Sequence, residues 1–163
     1  MPLPIRLTFL LLTIYGTSLH AQTLKADELA VLKKYKLEKI DSFMTAKGFK
    51  KQVFSDEKDF SITNYTVITR TDSGAAQRSL HVGWVPKIKV LTLEYGLWLK
   101  SEAASFSKQL TQAGYKRSVS STPNIDGSSF QTTSYKKGLI SIGYKEVQQD
   151  SGTVYIFSIE DDR

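Results

Sequence analysis

The sequence predicts an α+β protein made of two tandem, pseudo-symmetric α-β-β-β-β repeats, whose antiparallel sheet carries helices on one face. Three observations predict it. Two short stretches, Gly48-Phe49-Lys50-Lys51 and Gly114-Tyr115-Lys116-Arg117, each close a helix-patterned segment. Each then opens a series of segments rich in Val, Ile, Thr, Tyr and Phe with turn residues between them, the composition of strands. The two halves also align block by block. Ile40 meets Phe106, Met44 meets Leu110, Gly48 meets Gly114, and Val53 meets Val119. Downstream, Phe60–Tyr65 resembles Phe130–Tyr135, Leu80–Trp84 resembles Ile140–Tyr144, and Ile88–Glu94 resembles Val154–Glu160. The alignment gaps fall in turn-rich segments, where buried backbone hydrogen bonds are not at stake.

The elements follow in chain order. Residues 1–21 carry one basic residue, Arg6, then the apolar run Leu7–Tyr15 and a small, mildly polar end, the pattern of a secretory signal peptide cut after Ala21. The run is shorter than the roughly 20 residues a bilayer span needs, and no later segment could cross a membrane. The alanine–glutamine junction suggests a bacterial source and a periplasmic or secreted protein. The first repeat is expected over residues 22–96. Its helix should run from Asp27, as cap, to Lys47, with Leu29, Leu32, Ile40, Phe43 and Met44 as the apolar stripe. Gly48 should end it by taking the left-handed conformation that stops a helix. In the third strand, Leu80, Val82 and Trp84 share one side, while His81 and Gly83 point to the other. Pro86 marks a tight turn into the fourth strand.

The second repeat is expected over residues 97–163. Trp98 should pack where two lobes meet. A helix capped by Ser101 should present Ala103, Phe106, Leu110 and Ala113, and Gly114 should end it. Lys136-Lys137-Gly138 reads as a hairpin turn. The fourth strand has apolar residues on both sides: Tyr155, Phe157 and Ile159 on one, Val154 and Ile156 on the other. One set belongs under a helix; the other must be covered by the second lobe, a partner or a ligand.

The composition narrows the chemistry. The whole chain has a formal net charge of +6, and its lysines and arginines are scattered. The densest group, Lys33, Lys34, Lys36 and Lys39, suits a solvated helix face rather than a nucleic-acid interface. There is no cysteine, so no disulfide, thiol nucleophile or thiolate metal site. Once His20 leaves with the signal peptide, His81 is the one histidine, and it has no evident partner in sequence. Asp56, Glu57, Asp59 and Asp126 sit in loops, and Asp150, Asp161 and Asp162 near strand ends, all in keeping with solvated carboxylates. Glu94 and Glu160 recur at equivalent positions. Neither a phosphate loop nor a nucleophile elbow is present, and nothing calls for a cofactor or metal.

A chain of two tandem α-β4 units resembles the β-lactamase inhibitor protein architecture, in which the sheet forms a concave surface that grips another protein. The resemblance is one of topology and covers nearly all of residues 22–163. That family carries disulfides and this chain has none, so neither a binding residue nor a target is carried over. The expectation is an exported, non-enzymatic protein that binds another protein through its sheet face and hairpin loops, as an inhibitor or immunity protein does. Tyr65, Trp84, Tyr135, Tyr144 and Tyr155 are the candidate contact residues, since exposed aromatics anchor protein interfaces. The alternative is a periplasmic carrier of a small apolar or glycan ligand held between two lobes.

Overall fold

The computed structural model describes residues 23–71, 74–123 and 129–161. The expected signal peptide, Asp126 and Asp162 lie outside these residues. The fold is mixed α+β: three helices, α1 (Ala26–Leu32), α2 (Leu37–Ala46) and α3 (Lys100–Gln112), and one antiparallel sheet. The strands are β1 (Lys50–Asp56), β2 (Ser61–Thr71), β3 (Gly74–Val85), β4 (Val90–Leu97), β5 (Lys116–Pro123), β6 (Ser129–Lys137), β7 (Ile140–Gln149) and β8 (Gly152–Asp161). All eight join one sheet in the order β1-β2-β3-β4-β8-β7-β6-β5. The strands of residues 22–96 and of residues 97–163 thus share one sheet. β4 and β8 pair directly, from Leu93↔Ile159 to Leu97↔Tyr155, and form the middle of a continuous sheet.

The helices cover one face only. Strand alternation delivers Tyr65, Val67, Leu80, Val82, Leu93, Tyr95, Leu97, Tyr135, Ile142, Tyr155, Phe157 and Ile159 to that face, where all are buried. Helix α3 buries Ala103, Phe106 and Leu110. The Phe106 ring lies 5.3 Å from Tyr95 on β4 and 4.6 Å from Phe157 on β8, so α3 sits over the seam between those strands. Helix α1 packs against α3, and the Tyr95 hydroxyl accepts a hydrogen bond from the Leu24 backbone N–H at 3.2 Å.

Two helix expectations need correction. The first helix is not continuous from Asp27 to Lys47: it breaks after Leu32 and resumes at Leu37, with Lys36 extended at φ −71°, ψ 157°. No Gly or Pro forces this break. Leu29 and Leu32 on one side of it, and Ile40 and Met44 on the other, are buried in a single core. The caps also differ: Lys25 and Leu99, not Asp27 and Ser101, are the N-cap residues. Glu28 accepts from the Lys25 N–H at 2.7 Å, and Glu102 is engaged by Arg78.

Both predicted helix stops hold. Gly48 has φ +80° and Gly114 φ +89°. At the first, Gly48 N–H bonds Thr45 C=O at 2.9 Å and Phe49 N–H bonds Met44 C=O at 3.1 Å. At the second, Gly114 N–H bonds Thr111 C=O and Tyr115 N–H bonds Leu110 C=O, each at 3.0 Å. This pair of bonds satisfies carbonyls the helix end would leave open. Phe49 and Tyr115, just past the glycines, are buried in the core with Met44 and Leu110. The basic pairs after them, Lys50-Lys51 and Lys116-Arg117, begin β1 and β5, the two edge strands. Charge there opposes edge-to-edge pairing with another chain.

Candidate functional site

The face opposite the helices is the candidate site. Strand register places one residue from every strand in a single cross-sheet row: Gln52, Asn64, His81, Glu94, Ser158, Gly143, Ser134 and Ser118. None of the eight is apolar. The row on one side of it holds Thr66, Ser79, Gly96, Ile156 and Lys145, and the next brings Trp98 beside Val154. An open cleft of about 1210 Å³ lies over the centre of this face, lined by Asn64, Ser79, His81, Glu94, Trp98, Lys145, Val154 and Ile156 among others.

Its middle is electrostatically organised. Lys145 on β7 reaches across β8 to Glu94 on β4, with Nζ 3.0 Å from the carboxylate. Both groups are exposed, so the pair contributes little stability, about 0–1 kcal/mol. His81 stands directly opposite Glu94 on the neighbouring strand. Burial pushes the His81 imidazole below its usual pKa, and the Glu94 charge partly opposes that shift. Ser79 is 1% exposed, yet its Oγ has no hydrogen-bond partner among the described residues; the same holds for Asn64 Oδ1. Both atoms are shielded from solvent beneath the cleft. Trp98 lies over Gly96, where an added Cβ would come within 3.3 Å of the indole and 3.0 Å of Ser79 Oγ. Gly96 therefore lets the indole lie flat on the sheet. Gly83 makes room in the same way: its Cβ would sit 2.4 Å from Thr92 Oγ1.

The five candidate contact residues lie elsewhere. Tyr65, Tyr135 and Tyr155 are buried in the core, and Trp84 and Tyr144 pack against it partly buried. All are on the helix-covered face, so they do not form an exposed aromatic patch. Tyr65 is tied to α2 through Asp41: burial pushes its hydroxyl up to about 12, and the Asp41 charge and hydrogen bond add to the shift. Tyr144 donates to Glu146 at 2.6 Å and stacks on Phe157 at 5.0 Å; burial first, then Glu146, raises its pKa. The reason is size. Large aromatics at in-facing positions are what three short helices and a sheet need to fill a core.

His81 falls where alternation put it, on the open face, and Val154 and Ile156 line the cleft beside it. Glu94 and Lys145 were missed as its neighbours. The turn at Pro86 sets the β3–β4 register and could have paired Glu94 with His81, but no local signal places β7 near β4. Among the described residues, no three His, Cys, Asp or Glu side chains are placed to hold a metal ion, and no helix is long and apolar enough to cross a membrane. No protein-family model matches this chain, and no curated protein or solved structure matches it.

Proposed function

We propose that the chain is an exported, non-enzymatic binding protein that receives another protein on the open face of its sheet. One observation carries this reading. The helices cover one face of an eight-stranded sheet, and the other presents a largely polar row and a cleft. The chemistry there suits recognition: one histidine, one ion-paired carboxylate, and small hydroxyl residues in place of a nucleophile–base pair in contact.

The scaffold is read as a duplication, of the same tandem α-β4 type as the β-lactamase inhibitor architecture. The register supports this. Lys51↔Tyr65 corresponds to Arg117↔Tyr135, and Val53↔Thr63 to Val119↔Thr133, as the sequence alignment requires. Leu93 and Ile159, which the alignment equates, are each other's cross-strand partners, as a two-fold axis between β4 and β8 demands. The halves also differ: the first has two helices where the second has one, β1 carries a register shift at Val53/Ser55 that β5 lacks, and Tyr65 pairs with Leu80 but Tyr135 with Ile142, two residues beyond the aligned position. A two-residue slip keeps each side chain on its face.

Affinity capture tests the reading. Residues 22–163 are immobilised beside two variants, one with Ser134→Arg and Ser158→Arg on the open face and one with Gln112→Arg at the end of α3. The expected result is a stoichiometric protein retained by the wild type and the Gln112 variant and lost from the open-face variant. Equal retention by all three places binding elsewhere and overturns the reading.

A further inference from the structure

We infer that the partner of the open face presents an acidic surface, with carboxylates arranged around a polar centre. This rests on the reading that the open face is the binding surface. Strand alternation puts Lys50, Arg70, Lys116, Lys136 and Lys145 on this face, all exposed. Their neighbours fix the assignment. Lys51 bonds Asp41 on α2 at 2.8 Å and Lys137 bonds the Ala113 carbonyl on the helix side at 2.6 Å, so Lys50 and Lys136 face the other way. Among the described side chains of this face, the acidic one is Glu94, already paired with Lys145. The excess is positive and stands around the periphery, with Lys50 and Lys116 on the two edge strands and Lys136 beside Lys116.

A ring of basic groups around a mixed centre steers and selects a complementary acidic protein. The same ring argues against a second copy, because two such faces would meet with like charges. It also fits a protein better than a nucleic acid. Among the described residues that line the cleft, Trp98 is the one aromatic, so bases would find little stacking surface there, and Glu94 at the centre would repel phosphate. Within the ring, the partly exposed Asn64 and His81 are polar and the partly exposed Trp98 and Ile156 offer apolar surface. The occupant is accordingly an acidic protein surface that brings hydrogen-bonding and apolar groups to its middle.

The test uses defined probes on isotopically labelled residues 22–163, followed by NMR. The probes are a Glu/Asp-rich peptide with a central Leu, its Lys/Arg counterpart, single-stranded oligodeoxythymidine and vesicles containing phosphatidylserine. The acidic peptide is expected to shift the amides of Asn64, His81, Glu94, Gly143 and Ser158 at low ionic strength. Salt should weaken the effect, and Lys50→Glu with Lys116→Glu and Lys136→Glu should weaken it by about tenfold. The Lys/Arg peptide should leave those amides unmoved. Equal shifts with both peptides, shifts confined to helix-side amides, no shifts, or tighter binding of the oligonucleotide or vesicles would each overturn the inference. The arms separate its failure from that of the broader reading. A protein captured through the open face that is indifferent to the triple reversal sinks the acidic-partner inference alone; capture insensitive to the Ser134 and Ser158 changes sinks both.

Discussion

The contact that fixes α3 to the sheet can be measured as a coupling energy. Arg78 on β3 lies beneath the first turn of α3 with its side chain 7% exposed, and Glu102 beside it is 19% exposed. The guanidinium donates to both Glu102 oxygens, through Nε at 3.0 Å and through Nη2, and its Nη1 donates to Thr69 Oγ1 at 2.7 Å. Two parallel bonds to one carboxylate, largely shielded from water, make the pair unlike the exposed ones. Glu102→Ala strands the cation with only Thr69. Removing one partner of a fully buried pair costs about 3–5 kcal/mol; because water reaches Glu102, a smaller loss, about 2–3 kcal/mol, is expected here. At about 3 °C per kcal/mol for a chain this size, the melting temperature falls by roughly 6–9 °C. Arg78→Leu should lose a similar amount by leaving the carboxylate unpaired. The double variant Arg78→Leu with Glu102→Leu should recover most of it, since an apolar pair can replace a buried ion pair with little loss. Thermal and urea unfolding followed by circular dichroism of the wild type, Arg78→Leu, Glu102→Leu and the double variant give the four stabilities; with single losses of about 2–3 kcal/mol each and a double variant near the wild type, the cycle should return a coupling of about 4 kcal/mol. Additive losses, or a Glu102→Ala variant within about 0.5 kcal/mol of the wild type, would refute the reasoning.

Acid should weaken the fold through His81. Its folded pKa is depressed below 6.5 by burial, so the unfolded chain takes up the proton first; stability is full above the unfolded value and falls as pH drops toward the folded one. The slope from this residue cannot exceed about 1.4 kcal/mol per pH unit, and His81→Gln should remove it from unfolding curves taken on either side of pH 6.5. The helix stops at Gly48 and Gly114 should each lose about 1 kcal/mol on change to Ala, because φ is positive at both, and less on change to Asn. Denaturation midpoints decide this; a gain with Ala, as expected inside a helix, would contradict the left-handed assignment.

Much of the fold was legible because it is written in short-range physics. Gly48 and Gly114 announce left-handed stops after apolar stripes, and those stops are present with the bonds the motif requires. Alternation in Leu80–Trp84 and Val154–Ile159 sorted the side chains onto two faces correctly, because period two is set by the backbone itself. The break between α1 and α2 was not legible. No Gly or Pro interrupts the helix there, and Leu29, Leu32, Ile40 and Met44 keep one helical stripe across the break, so the periodicity reads as continuous. The candidate site was half legible for a related reason. Alternation reads His81 as facing away from the helices, and it does; for Val154 and Ile156 it gives a shared side without saying which side a helix covers. The aromatics chosen as contacts were taken for surface because local sequence does not say which face a helix will cover. The association of β4 with β8 was equally invisible, yet it turns two halves into one sheet and carries Lys145 across to Glu94. What the chain determined by itself was its helix ends, strand alternation and lack of thiol chemistry. What tertiary structure decided was which face is open and which distant side chains share it, since those depend on contacts between residues far apart in sequence.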